Sequence, residues 1–164
     1  MKIISTAVAM LGLLLLAGCV TQPPPHARSP FPTFEYAILP QSGTGVVEGQ
    51  VFMKTVGGDV KFGAGSPVLL TPVTSYTEEW YNVAVVRGAP IGPADPALQK
   101  YIIHTQADGT GNFKFSDVPP GQYFLGSEVF WQAPTQFGLA RQGGLIVVRV
   151  TVEDGRTTRQ IVTR

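Results

Sequence analysis

From residue 45 onward the apolar positions recur with a period of two, in short runs broken by glycine, proline and aspartate. That period puts alternate side chains on opposite faces of an extended strand. Residues 46–53 (VVEGQVFM) alternate and then meet Gly57-Gly58-Asp59, a turn sequence. Residues 66–73 (SPVLLTPV) are apolar and bounded by prolines. Residues 79–88 (EWYNVAVVRG) fit a strand or a short helix equally well, and residues 88–99, with three prolines, read as a loop. Strands are expected at 100–106 and 112–118, joined by the turn ADGTG, and Pro119-Pro120-Gly121 is a further reversal. In 122–132 the alternation is explicit: Tyr123, Leu125, Ser127, Val129 and Trp131 share one face, and Phe124, Gly126, Glu128 and Phe130 share the other. A Gly/Gln/Pro-rich loop is expected at 132–144. The last twenty residues predict a hairpin turning at Asp154-Gly155, with Ile146, Val148, Val150 and Val152 inward. About seven strands separated by turn residues predict an all-β fold, an antiparallel β-sandwich.

Composition agrees. Gly (19) and Pro (14) are too frequent for long helices, and 44% apolar with 14% charged residues is a globular balance. A net charge of +1 provides no broad field for nucleic acid, so no nucleic-acid partner is expected. The single cysteine, Cys19, excludes an internal disulfide.

The first eighteen residues follow a different pattern. Lys2 is followed by a nearly unbroken apolar run over residues 3–17, shorter than the roughly 20 residues a spanning helix needs. A positive start, a short apolar core and small residues at its end predict a signal peptide over residues 1–18. Its end, Leu16-Ala17-Gly18-Cys19, resembles the bacterial lipobox. That resemblance implies cleavage between Gly18 and Cys19, a diacylglycerol thioether on Cys19 and acylation (palmitate-type chains) of the new amino group. Three acyl chains hold a protein effectively permanently, because each buried methylene contributes about 0.8 kcal/mol. Val20, where an aspartate would retain the protein in the inner membrane, implies the outer membrane on its periplasmic side, with the inner membrane as the alternative. Residues 19–44 then carry prolines at 23, 24, 25, 30, 32 and 40 and are expected to form an extended, semi-rigid tether. The folded domain is expected over 45–164.

Two stretches resemble the carboxypeptidase regulatory-like domain, a transthyretin-like (Ig-like) sandwich of secreted bacterial proteins. They carry Gly49, Val51, Val68, Leu70 and Pro72, then Asp108, Gly111, Phe113, Phe115, Val118, Pro119, Gly121 and Tyr123. The match spans roughly 45 to 131. It implies a hairpin turn framed by Asp108 and Gly111, Phe113 and Phe115 in the core, and Tyr123 entering the core with its hydroxyl near an edge. The cysteine pair of many relatives is absent here, where Phe62-Gly63 and Thr105-Gln106 stand.

Chemistry is sparse. With His26 in the tether, His104 is the only domain histidine. Together with Asp108 and Ser116 it could be written as a triad, but no nucleophile elbow accompanies it. No second ligand stands at metal spacing from His104, and Glu78-Glu79 reads as a solvated pair at a strand start. Neither catalytic residue, nor cofactor, nor metal is therefore expected. Trp80, Tyr81, Phe130 and Trp131 are the candidate contacts for a ligand or partner, and loops 88–99 and 132–144 are the candidate contact surfaces. The function expected is that of a lipid-anchored, non-catalytic structural or protein-interaction module. The alternative is a carbohydrate- or peptidoglycan-binding module of the envelope.

Overall fold

The computed structural model describes residues 24–164. The expected signal peptide, its cleavage point at Gly18 and the lipidation site Cys19 lie outside the described residues. Among the described residues eight strands form: β1 (Gly45–Lys54), β2 (Val60–Phe62), β3 (Pro67–Pro72), β4 (Ile103–Gln106), β5 (Asn112–Val118), β6 (Gly121–Thr135), β7 (Gly138–Val152) and β8 (Thr157–Val162). In the first sheet β1 is the hub, with β2 and β5 pairing antiparallel along successive stretches and β8 pairing parallel. The second sheet has the order β4-β3-β6-β7, antiparallel throughout. The fold is an all-β sandwich.

Alternation sets which residues lie between the sheets. Val47, Val51, Phe113 and Phe115 of the first sheet meet Val68, Leu70, Leu125, Val129, Ile146 and Val150 of the second, all buried. Tyr123 is buried, and its hydroxyl donates to Pro119 O at 2.9 Å at the rim. That bond keeps a polar group satisfied while its ring fills the core.

Four expectations are corrected. The loop at 132–144 does not form: β6 and β7 continue without a register slip to a two-residue turn at Gln136-Phe137. Ladder hydrogen bonds hold this polar stretch extended although it has no core to face. The final hairpin is instead a corner between sheets. Thr44 N–H donates to Asp154 Oδ1 and Thr44 Oγ1 accepts from Gly155 N–H, both at 2.9 Å, so the chain turns beside the entrance to β1. From there β8 runs parallel with β1 rather than back along β7. The ambiguous 79–88 stretch is helical: α2 (Ser75–Trp80) continues as a π-helical turn over Tyr81–Val86. Thr74 and Thr77 form a reciprocal capping box at its start. The loop after it ends in a 3₁₀ helix, Pro96–Tyr101, which delays the strand expected at 100 until Ile103.

The fourth correction concerns the tether. Residues 26–40 are folded onto the domain and include a short helix, α1 (Thr33–Ala37). Phe31, Tyr36 and Leu39 supply apolar surface that an extended spacer would leave in water, and Tyr36 is fully buried.

Candidate functional site

The outer face of the second sheet is not left to solvent. Leu69 and Thr71 of β3, Phe124 and Gly126 of β6, and Val147 of β7 are partly or wholly covered, with Leu145 at the exposed margin. The cover is the insert between β3 and β4 (α2, the π turn and the 3₁₀ helix), and the N-terminal strap closes against that insert. Between insert and strap lies a second apolar core of Tyr36, Tyr76 and Leu98, joined by Phe31, Leu39, Tyr101 and Ile102. Phe31 stacks on Tyr36 at 4.4 Å between ring centres. Tyr36 Oη accepts from Thr74 Oγ1 at 2.9 Å, and Tyr76 Oη accepts from Asp95 N–H at 2.7 Å. Burial pushes the Tyr36 phenol above its ordinary pKa despite the Thr74 bond.

Polar contacts fix the strap in place. His26 N–H donates to Pro90 O and Gly92 N–H donates to His26 O, each at 2.8 Å. The Glu79 carboxylate accepts from His26 Nε2 at 2.9 Å and from the Ser29 N–H at 3.0 Å. Burial alone would raise the Glu79 pKa. The bonds from Ser29 and His26 outweigh it and leave the carboxyl below its ordinary value. Glu35 accepts from both the N–H and the hydroxyl of Ser75, which ties α1 to the start of α2 and lowers the Glu35 pKa. His26 is thus a strap anchor rather than a tether residue. Glu78 and Glu79 are not a free pair at a strand start: Glu78 binds Arg149 and Glu79 binds the strap.

Beneath the insert a cavity of about 270 Å³ opens on the sheet. Its walls are chiefly apolar, with Leu69, Leu98, Ile102, Phe124, Leu145 and Val147, and Trp80 borders it. Arg28 reaches it from the strap. The Arg28 Nε donates to Gly92 O at 2.9 Å and its guanidinium lies 4.7 Å from the Tyr76 ring centre.

The four expected contact aromatics fall into two places. Trp80 and Tyr81 pack on Phe124, the former edge-on at 6.1 Å and the latter stacked at 4.7 Å. Arg149 lies over Tyr81 and Phe124 and is held by Glu78, which raises the guanidinium's pKa. Phe130 and Trp131 belong to the far end of β6. Phe130 is six residues from Phe124, or about 20 Å along the strand. It is 41% exposed, with the Arg141 guanidinium 3.5 Å from its ring centre. Trp131 points to the opposite face and packs against the main core. The four rings therefore do not form one platform.

From Gln132 to Gln142 the two long strands pair only with each other, as a ribbon projecting from the sandwich. Its tip leaves Phe137 92% and Leu139 71% exposed. Sequence reasoning missed Arg28, Phe124 and this ribbon. For the strap and the sheet face signals were present: aromatic residues at 31, 34 and 36 in a supposed spacer, and a large apolar Phe124 on the strand face opposite Tyr123 and Leu125.

The triad written on paper does not assemble by any hydrogen bond among the described residues. His104 is exposed on β4 opposite Leu69, and Ser116 is exposed on β5. Asp108 is committed to its turn, accepting from the N–H groups of Thr110 and Asn112 and from both their side chains. Those bonds, the Thr110 hydroxyl first, lower its pKa to about 2. A depressed folded-state pKa contributes stability above the unfolded value of about 4, and that contribution is lost as pH falls toward 2. Asp108→Asn is therefore expected to give a flatter stability–pH curve than wild type between about pH 4 and 2, read from urea midpoints.

No protein-family model matches the sequence, and no curated protein matches it. A solved structure does. A Pseudomonas aeruginosa protein, described as a candidate carbohydrate binding protein, superposes with a TM-score of 0.76 at 29% identity, covering 84% of this chain and 99% of that one. The likeness extends over the sandwich and beyond it.

Proposed function

We propose that this chain is a lipid-anchored, non-catalytic binding module of the bacterial envelope that engages a partner protein through the β6–β7 ribbon. The observation that carries the reading is the ribbon tip. Phe137 and Leu139 stand exposed at the end of a two-stranded hairpin, where exposed apolar side chains mark a contact surface. Leu16-Ala17-Gly18-Cys19 supports anchoring by a thioether on Cys19, and Val20 supports the outer membrane, periplasmic side. With residues 26–40 folded onto the domain, a tether from Cys19 meets the folded part at His26 rather than near residue 44. The sandwich itself reads as a carboxypeptidase regulatory-like module; β1 with Gly49 and Val51 and the Asp108–Gly111 turn support this.

A glycan is the second reading, and one observation favours it: the likeness to the Pseudomonas aeruginosa protein. A photo-crosslinker at Phe137 in the anchored protein separates the two. The protein-partner reading expects one discrete adduct in the detergent-soluble membrane fraction, lost on Leu139→Ser with the unfolding midpoint unchanged, and lost from membranes altogether on Cys19→Ala. Absence of an adduct, combined with saturable binding of peptidoglycan fragments, would establish the glycan instead.

A further inference from the structure

The cavity under the insert has a chemistry that neither a protein partner at the ribbon nor a sugar explains. Its lining is mainly aliphatic and aromatic, whereas a sugar needs several polar partners. One cation enters it. Arg28 Nη1 has essentially no solvent-exposed surface and no hydrogen-bond partner among the described residues. Nη1 itself is sealed from the cavity; what Arg28 brings to the lining is a partly desolvated guanidinium with no ion pair among the described residues, a charge that an anionic group matches best. The other charged group on the lining is Glu128, which is exposed and carries no ion pair among the described residues. Its carboxylate disfavours a ligand bearing a second negative charge. Size narrows the class further. At about 270 Å³ the space exceeds the ~150 Å³ that holds benzene and falls just below the ~300 Å³ where pockets for drug-sized ligands begin.

We propose that this cavity binds a small amphipathic monocarboxylate, its apolar body on Leu69, Phe124 and Val147 and its carboxylate on Arg28. The site is separate from the ribbon and does not depend on the reading of it. The strap then has a functional reason to fold back: it delivers a cation to a mainly apolar wall.

Octanoate is the probe, with 1-octanol as its uncharged counterpart, in a Trp131→Phe background so that Trp80 alone reports. Saturable change in Trp80 fluorescence is expected with octanoate, at an affinity at least tenfold above that of octanol. That ratio corresponds to one charge-assisted hydrogen bond. Arg28→Gln is expected to reduce octanoate to the octanol level. Because Arg28 also helps hold the strap, Gly126→Leu provides an independent block. A side chain there would enter the cavity, since a Cβ at Gly126 meets nothing closer than 3.7 Å. Gly126→Leu should abolish octanoate binding with the strap intact. No saturable change, equal affinity for octanol, an unaltered affinity in Arg28→Gln, or undiminished binding in Gly126→Leu would each overturn the proposal.

Discussion

Gly49→Ala is expected to destabilise the protein by about 3 kcal/mol or more, or to prevent folding, in a urea titration of the otherwise intact chain. A Cβ at this position would lie 1.7 Å from Gln160 O and 2.8 Å from Gln160 C, both backbone atoms of β8. On its other side the Phe113 ring is 3.0 Å away. Neither neighbour can yield cheaply. Gln160 is the register partner of Gly49 in the parallel β1–β8 ladder, and Phe113 is a buried member of the main core. Moving β8 away would break the ladder that joins the C-terminus to the hub strand. Gly109→Ala is the control: nothing lies within 4 Å of its Cβ and its φ is not in the left-handed region. It should change stability by no more than about 0.5 kcal/mol.

The second large effect is at the strap. Tyr36 is fully buried between Phe31 and Tyr101 and accepts a hydrogen bond from Thr74. Removing its ring leaves a cavity in the second core, and Tyr36→Ala should weaken that core by about 3–5 kcal/mol. The two cores are separate clusters, so the loss need not spread to the sandwich. The expected outcome is release of residues 24–44 to rapid proteolysis while the β-sheet signal persists. Tyr36→Phe, which loses only the Thr74 bond, should cost about 1 kcal/mol and keep the strap resistant. Rapid loss of the whole sheet signal in Tyr36→Ala would show instead that the two cores unfold as one.

These two positions also show how far the sequence could be read. The sandwich was legible because strand periodicity and turn residues act locally: Tyr123, Leu125 and Val129 face inward as their spacing dictates, and Asp108 with Gly111 makes the turn expected of them. Gly49 could be noticed only as part of a resemblance. The close approach of β8 that demands it is a contact between residues 111 positions apart. Tyr36 was hidden for a related reason. Prolines at 23–25, 30 and 32 describe local stiffness correctly, but they say nothing about whether the intervening aromatics find a surface. That surface is the insert, itself unreadable because 79–88 satisfies both helical and strand periodicities. The β6–β7 ribbon was missed because Gly, Gln and Pro argue for a loop, while fifteen residues of uninterrupted pairing outweigh them. Of the candidate contacts, Trp80 does border the sheet-face site, and Tyr81 stacks on its Phe124. Phe130 and Trp131 are far from it and on opposite faces. Arg28, the one cation on the cavity lining among the described residues, offered no local signal at all.

Amide hydrogen exchange at His26 and Gly92 tests most directly whether the strap and insert close over the second sheet. Both N–H groups donate to carbonyls across the strap–insert junction, at Pro90 and His26 respectively. The folded strap predicts exchange slowed by orders of magnitude relative to a free peptide in the wild-type protein, and fast exchange at both sites in Tyr36→Ala. Free-peptide exchange at both amides in wild type, with β1 still protected, would contradict it.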